Sequence, residues 1–298
     1  MQYQIIGRST LNVSRIGFGC MSLQPGQKDF QQLIDTAIDN GINYFDTADL
    51  YDKGLNEIHI GNALKAKRNQ IIIASKVGNQ WRSDGSGWDW NPRKEYILTT
   101  VEQSLQRLQT DYIDLYQLHG GTIEDLIDET IEAFELLKQQ GKIRYYGISS
   151  IRPNVIREYV KQSDIVSVMM QYSLLDRRPE ESCLQLLKDK NIGVMARGSV
   201  AGGLLVGKKA KPYLNYNEEG VAKAAIVIQK LSSHKRSPAQ IAIQFVLQNP
   251  SVTSAVVGIR TIEQLTDAVN AISNQKLSEE EMKILKEAVA VNHYAEHR

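Results

Sequence analysis

The feature that most constrains the fold is a regular alternation of short apolar segments with longer segments of helical periodicity. The apolar segments are nearly continuous rather than alternating, which is typical of parallel strands covered on both faces. Eight strands, each followed by a helix, predict an α/β fold with a single (β/α)8 TIM barrel. The predicted strands are 15–19, 42–45, 71–75, 112–118, 143–148, 165–169, 193–196 and 255–257.

The segments between these strands predict the helical layer of the barrel. Residues 2–6 and 12–15 alternate around Gly7 and predict an N-terminal β-hairpin ahead of the barrel. Ser278 followed by Glu281 predicts the start of an extra C-terminal helix, because this spacing forms a capping box. The predicted barrel helices are 29–39, 55–66, 93–108, 124–139, 153–160, 179–189, 219–232, 238–248 and 261–272.

A doubly wound open sheet is the alternative to a barrel. That fold would favour a G-x-G-x-x-G motif after the first strand, and the run Gly17-Phe18-Gly19-Cys20-Met21-Ser22 lacks the third glycine. No linker rich in Gly, Ser or Pro divides the 298 residues, a length that suits one barrel. We therefore expect residues 1–298 to form a single domain.

The charge balance and cysteine content limit the classes of partner. Lys and Arg total 35 against 34 for Asp and Glu, so we expect neither nucleic acid nor an anionic membrane as a partner. Cys20 and Cys183 lie far apart, which argues against a disulfide framework and a thiolate metal site. The apolar runs are shorter than the ~20 residues of a membrane span, and the first residues lack a signal-peptide pattern, so we expect a cytoplasmic protein.

Ionisable residues follow the second, third and fourth predicted strands. Asp46, Lys76 and His119 end these strands and Tyr51 lies one loop away, so all four belong at the C-terminal rim of the barrel. Alone, Asp46 could cap a helix and His119 could be a satisfied core histidine. Together they suit the protonation of an oxyanion, because a lysine cation lowers the pKa of a nearby tyrosine. Asp46 would hold Lys76 charged, and His119 would bind the oxygen that Tyr51 protonates.

This pattern resembles the aldo-keto reductase family. The run from Gly41 to Tyr51, followed by Asn56, Glu57 and Gly61, is similar to the long first signature of that family. Lys76 and His119 match the other two positions of its catalytic tetrad. The resemblance implies a nicotinamide cofactor, a small-molecule carbonyl substrate and reversible carbonyl reduction, with Asp46, Tyr51, Lys76 and His119 as catalytic residues.

The resemblance also implies cofactor-binding positions. Ser149 and Ser150 match the segment that holds the nicotinamide carboxamide, with Gln171 as the carboxamide-binding glutamine. Arg197 stands where the family usually has an aromatic residue that stacks on the nicotinamide. Arg260 and Gln264 match the positions that bind the adenosine 2′-phosphate, which favours NADPH over NADH. The full implied set is Cys20, Met21, Ser149, Ser150, Gln171, Arg197, Gly198, Ser199, Val200, Gly202, Gly258, Arg260 and Gln264, with no metal ligand.

Several features leave alternatives open. Trp81, Trp88 and Trp90 share one polar loop and would either line a substrate pocket or hold the loop against the barrel rim. Lys208, Lys209 and Lys211 would either fold over the cofactor phosphates or form a solvated charge run. Some barrels of the resembled family are regulatory subunits that hold NADPH as a sensor, which is the alternative to turnover. A metal-dependent hydrolase using Asp46 and His119 is disfavoured because the sequence has no H-x-H pair.

Overall fold

The structure is a computed structural model that describes residues 1–23, 26–273 and 276–298. Its centre is a closed barrel of parallel strands that neighbour one another in chain order, with the last barrel strand paired to the first. Closure excludes the open doubly wound sheet and confirms the predicted (β/α)8 barrel. The barrel strands are β3 Ile16–Gly19, β4 Tyr44–Asp46, β5 Ile72–Val77, β8 Ile113–Leu118, β9 Ile143–Ser149, β10 Ser167–Gln171, β11 Gly193–Arg197 and β12 Val252–Gly258.

Helices surround the barrel, and each lies close to its predicted position. The helix predicted at 179–189 is interrupted at Ser182, where a 3₁₀ turn at Arg178–Glu181 precedes α6. Ser278 caps the last helix in a capping box with Glu281, as predicted. The helices are α1 Phe30–Asp39, α2 Leu55–Leu64, α3 Lys94–Leu108, α4 Ile127–Gln139, α5 Pro153–Gln162, α6 Cys183–Asp189, α7 Glu218–Leu231, α8 Pro238–Leu247, α9 Ile262–Ser273 and α10 Glu279–Glu287.

The predicted N-terminal hairpin is present and closes one end of the barrel. Strands β1 (Tyr3–Ile5) and β2 (Asn12–Ser14) pair antiparallel. Ile6, Leu11 and Val13 of this hairpin are buried in the inner core with side chains from the barrel strands, including Tyr44 and Met195. The N-terminal end of the barrel is therefore filled, and the opposite end carries the loops that follow the strands.

Most of the remaining apolar side chains lie between the strands and the outer helices. Gly61 shows how close this packing is, since a Cβ there would lie 2.5 Å from the carbonyl oxygen of Arg107 on α3. Only glycine permits α2 and α3 to approach this closely. Among the described residues, no helix is long and apolar enough to cross a membrane.

A second small sheet was not predicted. Strands β6 (Asn79–Trp81) and β7 (Trp88–Trp90) form an antiparallel hairpin directly after β5, in the segment expected to be a loop. Its register pairs Asn79 with Trp90 and Trp81 with Trp88. All three tryptophans therefore lie on one two-stranded element beside the C-terminal rim.

Candidate active site

The four side chains predicted at the rim lie together on the wall of one cavity of about 1110 Å³. Asp46 is the last residue of β4, Lys76 is near the end of β5, and His119 directly follows β8. Tyr51 begins a 3₁₀ turn at Tyr51–Gly54, between β4 and α2. The parallel strands bring the ends of three neighbouring strands to one edge, which is why residues far apart in sequence meet here.

Lys76 is the centre of this group. Its Nζ donates to Asp46 Oδ2 at 2.6 Å, to the Thr47 carbonyl oxygen at 2.7 Å and to the Tyr51 hydroxyl at 3.2 Å. Burial lowers the pKa of Lys76, but the neighbouring charges and hydrogen bonds of Asp46 and Tyr51 outweigh it and raise the pKa above its usual value. An ammonium has three N–H donors, so these contacts use all of them and hold the cation against the phenol.

The acidity of Tyr51 differs from the sequence expectation. Burial raises the pKa of the Tyr51 phenol above its usual value, and the opposing effect of Lys76 is smaller. The sequence argument considered only the cation, which does lower this pKa, and left out the larger effect of desolvation. Tyr51 is therefore protonated at neutral pH, the state required of a proton donor.

The His119 ring packs edge-to-face against the Tyr51 ring. The two rings are nearly perpendicular, with an interplanar angle of 84° and centroids 5.9 Å apart. Burial, and then the Lys76 and Arg197 cations, lower the pKa of His119 to about 3. The imidazole is therefore neutral at physiological pH and keeps one N–H donor and one acceptor nitrogen.

A layer of buried polar contacts supports the strand end and the Tyr51 turn. Asn56 accepts a hydrogen bond from Thr47 Oγ1 at 2.7 Å and donates to the Cys20 carbonyl oxygen at 2.9 Å. Glu57 is fully buried, and its carboxylate accepts from Ser75 Oγ and from Arg107 Nε. The Asn56-Glu57 pair of the signature therefore fixes the backbone that carries Asp46 and Lys76.

Most of the positions implied for cofactor binding lie on the same cavity wall as the four rim residues. They come from the ends of β3, β9, β11 and β12, the loops that follow these strands and the first turn of α9. The implied positions found on the wall are Met21, Ser149, Ser150, Arg197, Gly198, Val200, Gly202, Gly258, Arg260 and Gln264.

Three implied positions lie off this wall. Cys20 is fully buried, and its carbonyl oxygen accepts a hydrogen bond from Asn56 Nδ2. Ser199, in the loop after β11, is also buried. Gln171 donates its amide hydrogens to Asp176 Oδ2 and the Tyr213 hydroxyl, and its Oε1 accepts from Arg197 Nη1 at 3.1 Å. These contacts use the Gln171 amide to support Arg197, which no sequence pattern indicated.

The charges on the wall fit a ligand that carries phosphates. Arg197, Lys208 and Arg260 line the cavity, and within residues 1–23, 26–273 and 276–298 no carboxylate lies at ion-pair distance from them. A Cβ on Gly203 would lie 2.8 Å from the Lys208 side chain, so glycine makes room for it. Lys209 and Lys211 are not on this wall, which separates Lys208 from the other two lysines.

The tryptophans also divide into two groups. Trp88 and Trp90 line the cavity, whereas Trp81 does not. Trp81 instead donates its indole N–H to the Leu50 carbonyl oxygen at 3.1 Å. Trp88 and Trp90 therefore form part of the cavity wall, and Trp81 holds its loop to the rim.

Arg152, Asn79 and Ser22 also line the cavity and were not anticipated. Each follows a barrel strand within three residues, which is the one signal in the sequence that could have indicated them. Arg152 donates from Nη1 to the Gly121 carbonyl oxygen at 2.6 Å, in the loop that begins at His119. In the part of the chain that the structure describes, no cluster of three or more His, Cys, Asp or Glu side chains could hold a metal ion.

Comparison with known proteins places this geometry in a family. The model of the aldo/keto reductase family matches residues 15–290. The whole chain is 50% identical to an uncharacterized oxidoreductase, YqkF, of Bacillus subtilis (strain 168), and covers all of that protein. It also covers 99% of the aldo-keto reductase AKR11C1 from Bacillus halodurans, with 48% identity and a TM-score of 0.94 for the holo form, and 46% identity and 0.85 for the apo form.

The fold and these matches define the class of protein as a barrel oxidoreductase. More specifically, the chain belongs to the aldo/keto reductase family, whose members use nicotinamide cofactors and act on small carbonyl substrates. The resemblance seen in the sequence is thereby confirmed.

Proposed function

We propose that this protein is an NADPH-dependent reductase that converts an aldehyde or ketone into the alcohol. The observation that carries the proposal is the contact of one buried ammonium, Lys76 Nζ, with both Asp46 and the Tyr51 hydroxyl on the cavity wall. A phenol held 3.2 Å from a buried cation is a proton donor whose conjugate base is stabilised in place. This intact arrangement supports turnover over a regulatory role as an NADPH sensor.

Each rim residue has a separate task in the proposed reaction. When bound along this wall, a reduced nicotinamide would supply the hydride for the carbonyl carbon. Tyr51 donates its phenol proton to the carbonyl oxygen, and Lys76 stabilises the phenolate until Tyr51 takes a proton from solvent. Asp46 keeps Lys76 charged and oriented. Neutral His119 donates a hydrogen bond to the same oxygen and orients the carbonyl towards Tyr51.

The cofactor side of the cavity supports NADPH in particular. Arg260 is exposed at the start of α9, and its backbone N–H donates to Gln264 Oε1 at 2.9 Å. We assign Arg260 and Gln264 to the 2′-phosphate, because an exposed guanidinium at a helix start suits a phosphate dianion. Lys208, with the backbone amides of Gly198 and Gly202, suits the pyrophosphate.

We assign the nicotinamide end of the cofactor to the ends of β9 and β11. Ser149 and Ser150 offer hydroxyls for the carboxamide, and the planar Arg197 guanidinium replaces the stacking ring. Gln171 orients Arg197 in this arrangement, since its Oε1 accepts a hydrogen bond from Arg197 Nη1.

The wall formed by Trp88 and Trp90 suits a substrate with an apolar body next to the carbonyl. We also propose that residues 1–298 act as one domain, since every rim residue depends on the same closed barrel. Cys20 and Cys183 are buried free thiols, which supports a cytoplasmic location.

The direct test is the ratio of alcohol formed to NADPH consumed. The purified protein is mixed with NADPH and a panel of aliphatic and aromatic aldehydes, and the loss of NADPH absorbance is compared with the alcohol formed. We expect one alcohol for each NADPH consumed, and the same rate after treatment with a chelator. NADPH binding without consumption across the whole panel would instead support a sensor.

A further inference from the structure

The backbone that follows Tyr51 has an uncommon conformation. Asp52 and Lys53 both lie in the left-handed region, with φ of 49° and 55°, and Gly54 follows with φ of 87°. Residues with a Cβ adopt this region at a cost in free energy, and such a conformation persists only where surrounding contacts hold it. The turn that presents Tyr51 therefore depends on contacts from outside itself.

Trp81 supplies such contacts on both sides of Tyr51. Its indole N–H donates to the Leu50 carbonyl oxygen at 3.1 Å. Lys53 Nζ lies 5.1 Å from the centroid of the Trp81 ring system, close enough for a cation–π interaction. Gly85, in the connection between β6 and β7, also touches this lysine, since a Cβ there would lie 2.8 Å from Lys53 Nζ.

The same hairpin holds the segment that begins at His119. Asn79 Nδ2 donates to the His119 carbonyl oxygen at 3.1 Å. Trp90 Nε1 donates to Asp125 Oδ1 at 2.9 Å, and a Cβ on Gly120 would lie 3.0 Å from the Trp90 ring. Asp125 in turn accepts the Thr122 amide at 2.7 Å, which closes the loop after β8.

The two sets of contacts are joined through the paired strands. Asn79 and Trp81 belong to β6, and Trp90 is paired with Asn79 from β7. Arg82 and Asp89 reinforce the hairpin at its exposed side through hydrogen bonds of 2.6 to 3.1 Å. One paired hairpin therefore contacts both the Tyr51 turn and the His119 segment.

From these contacts we infer that the hairpin of β6 and β7 is a positioning element that sets the proton donor Tyr51 against His119, with Trp81 as the positioning residue for Tyr51. Trp81 acts through Leu50 and Lys53 and does not touch the substrate cavity. The inference rests on the proposed function, since it assigns Trp81 a role in delivering the proton of Tyr51.

The test variant is Trp81→Phe, which keeps an aromatic ring and removes only the indole N–H donor and part of the ring. We expect kcat for aldehyde reduction to fall about 10-fold, because a small misplacement of a reacting group slows the chemical step strongly. The KM for the aldehyde and the Kd for NADPH, measured by calorimetry, should stay within about 2-fold of wild type. An unchanged Kd also shows that the variant is folded.

The pH profile separates positioning from general loss of stability. The charged or titratable groups that act on the Tyr51 phenol are Lys76, Asp46, His119, Arg197 and Tyr44. Burial, which raises the pKa of Tyr51, is retained in this variant, whereas the opposing effect of Lys76 weakens as the phenol is displaced, so activity should be lost at a higher pH than in wild type. In Trp81→Phe the alkaline limb of the kcat profile is therefore expected to move upward.

Two variants in the same hairpin serve as controls. Asp89→Asn weakens the Arg82 ion pair without touching Leu50 or Lys53, and we expect its kcat to stay within about 2-fold of wild type. Trp88→Phe alters the cavity wall and should change the KM for the aldehyde more than kcat. The inference is overturned if Trp81→Phe keeps wild-type kcat and pH profile, or if Asp89→Asn loses as much kcat.

Amide hydrogen exchange distinguishes failure of this inference from failure of the proposed function. The Tyr51 amide donates to the Ala48 carbonyl oxygen at 3.2 Å and the Lys53 amide to that of Leu50 at 3.4 Å. Both amides should exchange about 10-fold faster in Trp81→Phe than in wild type. A wild type without reductase activity but with this change in exchange would overturn the function alone, and an active wild type without it would overturn the inference alone.

Discussion

Replacement of Lys76 by methionine removes the cation that the site is built around. Lys76 Nζ lies 3.2 Å from the Tyr51 hydroxyl, so a phenolate formed there faces a cation at that distance. At an effective dielectric constant of about 20, two unit charges so placed attract each other by about 5 kcal/mol. Since about 1.4 kcal/mol corresponds to a tenfold change in rate, we expect the rate of reduction in Lys76→Met to be about 10³- to 10⁴-fold lower.

The assay is single-turnover NADPH oxidation with saturating cofactor, measured for Lys76→Met, Tyr51→Phe and the double variant. If Lys76 acts through Tyr51, the double variant should be no slower than Tyr51→Phe alone. Lys76→Met also leaves Asp46 buried without its cation, which costs about 3–5 kcal/mol of stability, so circular dichroism must first show a folded variant. A loss of less than about 10-fold, or losses that multiply in the double variant, would refute the electrostatic reasoning.

Two further predictions concern the cofactor and the pH dependence of stability. Arg260→Ala should raise the Kd for NADPH by about 10-fold or more and leave the Kd for NADH nearly unchanged, because only NADPH carries a 2′-phosphate. Equal changes in the two Kd values, measured by calorimetry, would contradict the assignment of Arg260. The pKa of His119 is about 3 in the folded protein, below the value of about 6.5 for an unfolded histidine. Below about pH 6.5 the unfolded state therefore binds a proton that the folded state does not, and the free energy of unfolding decreases as the pH falls. Between about pH 6 and pH 4, urea unfolding of wild type should therefore lose about 1.4 kcal/mol per pH unit more than that of His119→Asn, and parallel slopes would count against a neutral buried imidazole.

The barrel and the four rim residues were predictable because both follow from the strands. A run such as Ile71–Ser75 has to be buried on both faces, and a parallel barrel brings the residue after each such run to one rim. The sequence alone therefore predicts that Asp46, Lys76 and His119 lie together. Their grouping needs only strand order, and strand order follows the sequence in this fold.

The details that were missed depend on tertiary contacts rather than on periodicity. The hairpin of β6 and β7 is three residues long on each side and joined by a Gly, Ser and Asp-rich connection, so its pairing is too short to stand out. The Gln171 amide contacts Asp176, Tyr213 and Arg197 from three separate segments. No pattern in the sequence reveals these contacts.

The pKa of Tyr51 could also be predicted only in part from the sequence. Its neighbour Lys76 was foreseeable from strand ends, and its effect on the phenol has the expected sign. How deeply the Tyr51 phenol is buried depends on the residues around it, and that burial is the larger effect. The direction of the shift therefore became clear only with the surrounding structure.

The most direct test of the account is turnover and cofactor affinity of Tyr51→Phe, which deletes one hydroxyl and leaves Lys76, Asp46 and His119 in place. We expect NADPH oxidation with an aldehyde substrate to fall by about 10³-fold or more, while the Kd for NADPH stays within about 2-fold of wild type. Substantial reductase activity in this variant, with normal cofactor binding, would contradict the claim that the proton comes from Tyr51.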